Sequence, residues 1–199
     1  MAISDKYYLI SAKYKSELAS AYAPEGTKLA HELISDINGD EMPFEFTLVK
    51  VSSGKNGLIE STDLSGLNDV WLDYQPNSLA WPLMSSRLQS IINDSLTGYE
   101  NIKWVKAKIN SQDEQREYYI PKFSNKLDVL DEAKTMYVPG TDQIIKPSFS
   151  LAKVKELAIF HKPSSFWQIT TEMYVSEKLK KAIQIDKLIG LDFEKTSVV

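Results

Sequence analysis

MYVSEKLKKAIQIDKLIGLDFE, residues 173–194, reads as a capped amphipathic helix that ends at a glycine and passes into a short strand. Ser176 is suited to the N-cap, where its hydroxyl accepts a bond from a free N–H of the first turn. Glu177 places negative charge at the positive end of the helix dipole. Leu179, Ala182 and Ile183 recur on one face, with Lys178, Lys180 and Lys181 off it. Gly190 fits a chain reversal, and Leu191-Asp192-Phe193 alternates as a half-buried strand does.

A second segment echoes the first. Leu83–Ile92, LMSSRLQSII, aligns with Tyr174–Ile183, YVSEKLKKAI. Ser85 falls on Ser176, Arg87 on Lys178, Leu88 on Leu179, and Ile91-Ile92 on Ala182-Ile183. Each segment is followed by a glycine and an aromatic-bearing strand: Gly98 with Trp104, and Gly190 with Phe193. Two such helix–strand units covering one sheet are one reading. The other is that short capped helices resemble one another.

Around these helices the chain alternates between strand and turn signals. Tyr7–Tyr14 predicts a first strand. Pro24-Glu25 predicts the first turn of a helix, continued by Leu29, Leu33 and Ile37 and stopped at Asn38-Gly39. Phe44–Val51 predicts a second strand, SSGKNG (52–57) a loop, and Asn68–Tyr74 a third strand. Ser85 or Ser86 starts a helix that stops near Thr97-Gly98. Ile102–Ile109 and Glu117–Phe123 predict a long hairpin, with Pro121 at a sheet edge or a strand end. Leu127–Tyr137 is open between strand and loop, Pro139-Gly140 is a turn, and Leu151–Phe160 holds a short helix or the strand ELAIF. Phe166–Thr170 predicts a further strand. The expected fold is α+β: mixed, mainly antiparallel sheet with a few amphipathic helices, in a single domain over 1–199.

Composition narrows the function classes. The chain has no cysteine, which excludes disulfides, thiolate metal sites and a cysteine nucleophile. The start, MAISDKYYLISAKYKSEL, lacks the apolar core of a signal peptide, so a cytoplasmic location is expected. A net charge of −4 disfavours nucleic acid and anionic membranes as partners. Between Lys55 and Arg87 there is no Lys or Arg, while Glu60, Asp63, Asp69 and Asp73 supply the whole net charge. Trp71, Tyr74 and Trp81 lie in the same segment. Asp69, Trp71, Asp73 and Tyr74 therefore form a candidate partner-binding set, since aromatics give rigid contact area and charge steers approach. The alternative is a buried strand with solvated acids around it.

Catalytic signals are sparse. His31 and His161 are the two histidines. His161 stands near Ser164 and Ser165 in HKPSS, but there is no G-x-S-x-G elbow. No H-E-x-x-H or calcium loop occurs. No metal, cofactor or catalytic residue is expected. A carboxylate pair drawn from distant segments is the enzyme alternative.

The order of elements in residues 65–199 resembles a family of bacterial immunity proteins from polymorphic toxin systems. That family was first catalogued as a domain of unknown function and takes its name from a myxobacterial member. The matching features are the Ser85–Leu88 helix start, Tyr118-Tyr119, Ala158-Ile159-Phe160, and the closing set Val175-Ser176, Lys178-Leu179, Ala182 and Gly190–Phe193. Residues 1–60 carry no resemblance. His161-Lys162 stands where the family often has an arginine. The resemblance implies a non-catalytic protein that binds and neutralises a cognate toxin encoded beside it, in interbacterial competition. Against a basic, nucleic-acid-attacking toxin, the Asp69–Tyr74 set would be the contact. A carboxylate hydrolase and an adaptor for a non-toxin protein remain as alternatives.

Overall fold

The computed structural model describes residues 6–37, 39–55 and 57–199. The chain begins with β1 (Tyr7–Ala12), β2 (Glu17–Tyr22), α1 (Ala30–Asp36), β3 (Phe46–Gly54) and β4 (Gly57–Ser61). It continues through β5 (Tyr74–Gln75), β6 (Leu83–Ser85), α2 (Ser86–Ser95), β7 (Ile102–Asn110) and β8 (Gln115–Phe123). Then come β9 (Met136–Tyr137), β10 (Ile144–Lys146), α3 (Leu151–Val154), β11 (Ile159–His161), β12 (Met173–Ser176), α4 (Glu177–Ile185) and β13 (Leu191–Thr196). The architecture is α+β with mostly antiparallel pairing.

The two echoing segments fold alike. Ser85 and Ser176 both sit at extended backbone angles, φ/ψ −63°/162° and −65°/156°. Each hydroxyl oxygen accepts the N–H of the residue three positions on, Leu88 or Leu179, at 3.2 Å. Each serine ends a strand and opens a helix that buries its leucine and one isoleucine, Ile92 or Ile183.

The likeness extends to strand order. One sheet runs β11-β12-β1-β13, and the long sheet contains β5-β6-β8-β7. In both, a strand leads through the helix to a parallel strand two places away, and an antiparallel strand fills the gap. In the long sheet that filler is β8, the next strand along the chain. In the other it is β1, from the far end of the sequence. The units thus belong to separate sheets, not to one. They meet through α2 and α4, where the Arg87 guanidinium donates to the Asp186 carbonyl at 2.8 Å, a cation at a helix C-terminus.

The long sheet curls back on itself. Its order is β2-β3-β7-β8-β6-β5, and the chain after β5 returns to β2. Ala21 N–H donates to Pro76 O at 2.8 Å, and Ser78 N–H donates to Ala21 O at 3.0 Å. Alternate residues of these strands, among them Leu48, Leu83, Val105, Ala107, Ile109 and Ile120, meet Leu33, Ile34 and Ile37 in one buried cluster. A second cluster joins Met84, Leu88, Ile92 and Phe123 to Tyr7, Ile10, Phe160, Tyr174 and Ile183. The β7–β8 hairpin keeps nine paired positions without a register break. Pro121 lies beyond the two residues of β8 that pair with β6, where the strand has no ladder donor to lose.

Several expectations are corrected. Pro24-Glu25 forms a turn rather than a helix start; Gly26 at φ +78° interrupts it, and α1 begins at Ala30. β2, ELASAY, was not expected, and its small side chains reach the core only through pairing with β3. Of the stop at Asn38-Gly39, Asn38 lies outside the described residues, as do Met1–Asp5. Within SSGKNG, Ser52–Gly54 stays in β3 and Gly57 opens β4; Asn56 is also outside the described residues. Asn68–Asp73 is not a strand. Its backbone is satisfied elsewhere: Leu72 N–H by the Gln75 side chain at 3.1 Å, and Asp73 N–H by Ile189 O at 2.9 Å. Phe166–Thr170 is a series of turns. Leu151–Phe160 holds both alternatives in succession, the short α3 and the start of β11.

Candidate partner-binding face

The structure divides the four candidate residues into two pairs. Asp73 is 6% exposed and acts as a joint. One carboxylate oxygen accepts the Ser85 hydroxyl at 2.7 Å, and the other accepts Ile189 N–H at 2.9 Å, with the Arg87 guanidinium at 3.9 Å. It therefore ties the cap of α2 to the turn between α4 and β13. Tyr74 is 4% exposed and sits in the second cluster, where burial raises its phenol pKa well above the ordinary value. Neither offers a surface to a partner.

Asp69 and Trp71 do reach solvent. Asp69 pairs with Lys15 at 3.3 Å. The half-buried Trp71 ring stacks on Tyr118 at 6.3 Å and lies under the Arg116 guanidinium, 4.7 Å from its centroid. Arg116 is held by Glu114 at 2.7 and 3.1 Å, and that contact keeps the Glu114 carboxyl below its usual range. Two grooves flank this loop. One, of 340 Å³, sets Lys13 and Lys15 against Glu17 and Asp69. The other, of 280 Å³, brings Arg87, Arg116 and Lys187 around Trp71 and Ile189. The acidic run of the sequence is thus offset in space by bases from distant segments, and the face is mixed in charge.

A larger cavity, 550 Å³, lies elsewhere, between Lys126–Leu130 and Tyr137–Ile144. Of its acids, Asp128 binds Lys153 at 2.7 Å and Glu132 accepts the Tyr137 hydroxyl. No group of His, Cys, Asp and Glu among the described residues is arranged to hold a metal ion. No described helix is long and apolar enough to cross a membrane.

His161 is fully buried. Its Nε2 accepts Leu127 N–H at 3.1 Å and its Nδ1–H donates to Lys162 O at 3.1 Å, which fixes one neutral tautomer. The ring packs edge-on to Phe123 at 4.6 Å and stacks on Trp167 at 5.6 Å. Lys162 pairs with Glu172 at 2.9 Å. The departure at His161-Lys162 is therefore a packed, internally bonded corner. Burial holds the imidazole pKa below its ordinary value, against a partial opposing effect of the backbone carbonyls. The unfolded chain then binds the extra proton first as pH falls through about 6.5. Stability is full above that pH and declines below it, until the folded-state value is passed. We expect the unfolding free energy from urea titrations to fall between pH 7 and 5.5, by at most about 1.4 kcal/mol per pH unit, and His161→Asn to flatten the slope. An equal slope in the variant would assign the effect to other groups.

The family model for the Imm11 immunity protein family matches residues 59–198. The chain belongs to the Imm11 immunity protein family. No curated protein matches it. In this Imm11 member, the residues that carried the resemblance are largely structural. Ser85 and Ser176 cap helices, and Gly190 at φ +84° leaves no room for a side chain: a Cβ there would stand 2.6 Å from Leu72 Cβ and 3.0 Å from Tyr74 O. Residues outside the match still complete the architecture, since β1 is central to its sheet and β2 and β3 belong to the curled one. The features that sequence reading missed are Lys15 and Arg116 on the Trp71 face and the exposed strand β4. The only sequence sign of β4 was two adjacent aliphatics, Leu58-Ile59, after a glycine turn.

Proposed function

We propose that this Imm11 member is a cytoplasmic immunity protein that neutralises a cognate toxin by stoichiometric binding, within a polymorphic toxin system. The family match over residues 59–198 carries this reading. The partner would be the protein encoded beside it, and residues 1–199 would act as a single domain. Engagement of His161 and Asp73 in internal bonds is consistent with a binding role rather than catalysis. Asp69 and Trp71 are the part of the expected contact set that a partner can reach.

The test is co-expression with the neighbouring gene product, scored by survival and by a co-purifying complex. Survival without this chain and no complex would remove the reading. Within a complex, Trp71→Ala should weaken binding at least ~10-fold, and Asp69→Lys should slow association with a basic toxin at low salt. Unchanged affinity and association rate in both variants would take this face out of the contact.

A further inference from the structure

Other segments meet much of the edge length of the curled sheet: the chain after β5 on β2, Asp40–Met42 and the start of β3 on β7, and β6 and Gln168 on β8. Closure of this kind removes the free edges that invite foreign strands. β4 stands apart. It pairs only with the end of β3, off the path of the sheet, and among the described residues no strand lies on its outer side. All five of its residues are exposed, with Leu58 at 69% and Ile59 at 57%. The usual protections of such an edge are shortness, charged side chains, above all lysine, proline or a bulge, and of these β4 has its five-residue length and Glu60. β4, GLIES, has no lysine or proline, and its register with β3 is continuous from Gly54↔Gly57 to Lys50↔Ser61.

That register fixes which groups point outward. Ala21 turns its N–H and C=O to Pro76 and Ser78, away from β3, so the hydrogen-bonded pairs of β2 with β3 are Ser20↔Val49 and Leu18↔Val51, and Lys50, Ser52 and Gly54 of β3 turn their groups to β4. Gly57, Ile59 and Ser61 turn their N–H and C=O to β3. Leu58 and Glu60 turn theirs to the open side. Of the charged groups here, Glu60 is in the strand, where the Tyr22 hydroxyl also meets its carboxylate, Asp63 follows it, and Lys55 precedes the strand by two residues. Lys50, on the adjoining strand, is engaged by Glu17 at 3.9 Å and the Ser65 carbonyl at 3.2 Å.

We infer that β4 is a strand-addition site, on which an extended segment of the toxin pairs with the outward N–H and C=O groups of Leu58 and Glu60 and sets a Lys or Arg against Glu60. The inference rests on the immunity reading. Main-chain pairing supplies affinity, and the charge selects the partner strand. The chain leaving β4 runs directly into the loop of Asp69 and Trp71, so one partner can continue from the edge onto that face. Self-pairing of a second copy about Ile59 would place the two Glu60 side chains on the same face one diagonal apart, and the test below separates that occupant from a toxin strand.

Leu58→Pro removes an outward N–H without removing a bond to β3, whereas Leu58→Ala keeps the N–H and removes the side chain. Both variants, with Glu60→Lys, are titrated against the catalytically inactivated neighbouring gene product, after thermal melts confirm that each is folded. The expected result is roughly 10- to 30-fold weaker binding for Leu58→Pro, a smaller loss for Leu58→Ala, and a lower salt dependence for Glu60→Lys. Wild-type binding that survives Leu58→Pro unchanged overturns the strand-addition site and leaves the immunity reading intact. Failure of the wild-type chain to bind or protect overturns both. A wild-type dimer that Leu58→Pro converts to monomer assigns the edge to a second copy and likewise overturns the inference.

Discussion

Replacing Glu100 by alanine is expected to lower the unfolding free energy by about 4 kcal/mol. Glu100 is fully buried and accepts four hydrogen bonds. One oxygen takes Thr97 N–H and Oγ1–H, both at 3.0 Å, and Gly98 N–H at 3.2 Å; the other takes Ala158 N–H at 2.7 Å. The carboxylate thus pins the connection between α2 and β7 to the entry of β11. Truncation leaves the buried Ala158 N–H without an acceptor, at about 1–3 kcal/mol, and strips the acceptor from the part-buried Thr97 and Gly98 N–H groups, which water can partly replace. The melting temperature should fall by roughly 10 °C, in a single transition if the chain unfolds as one unit. Glu100→Gln should cost less, because one acceptor oxygen remains while the amide opposes other donors. A loss under about 1 kcal/mol for alanine would mean that the site relaxes or admits water.

The second large effect is at Asp73. Asp73→Ala should cost about 3 kcal/mol, since the Ser85 hydroxyl and the Ile189 N–H both lose a buried charged acceptor. Ser85 both donates to Asp73 and accepts from Leu88, so its hydroxyl is oriented by the carboxylate. A double-mutant cycle with Ser85→Ala should therefore return a coupling of about 1–2 kcal/mol. Additive effects in urea titrations would show that the two act separately. Charge reversal at Asp73 tests the fold and not the contact surface; Asp69→Lys, on an exposed ion pair, should leave stability within about 1 kcal/mol.

Legibility in the sequence followed the range of the interaction. The caps at Ser85 and Ser176 and the β7–β8 hairpin depend on residues close in sequence, and each was readable there. The likeness of the two helix units was readable for the same reason. β2 was missed because alanine and serine carry little strand preference, and pairing with β3 overrides it. The run from Asn68 to Asp73 was misread because its aromatics and aliphatics alternate as in a strand, while its hydrogen bonds go to Gln75 and Ile189. The candidate face was half legible. Aromatic Trp71 and acidic Asp69 were visible, but Lys15 and Arg116, which offset the acidity, arrive from other parts of the chain. The internal role of Asp73 required Ile189, more than a hundred residues away.

The placement of β1 between β12 and β13 has a consequence for synthesis. A chain made from its N-terminus carries Tyr7–Ala12 through the synthesis of all four helices' worth of intervening sequence before Met173–Ser176 and then Leu191–Thr196 exist to flank it. Until then both edges of β1 are without their partners, and contacts of such long sequence separation make a topology that folds slowly. A nascent chain stalled within α4 can already offer β12 to β1 but cannot yet pair β1 with β13.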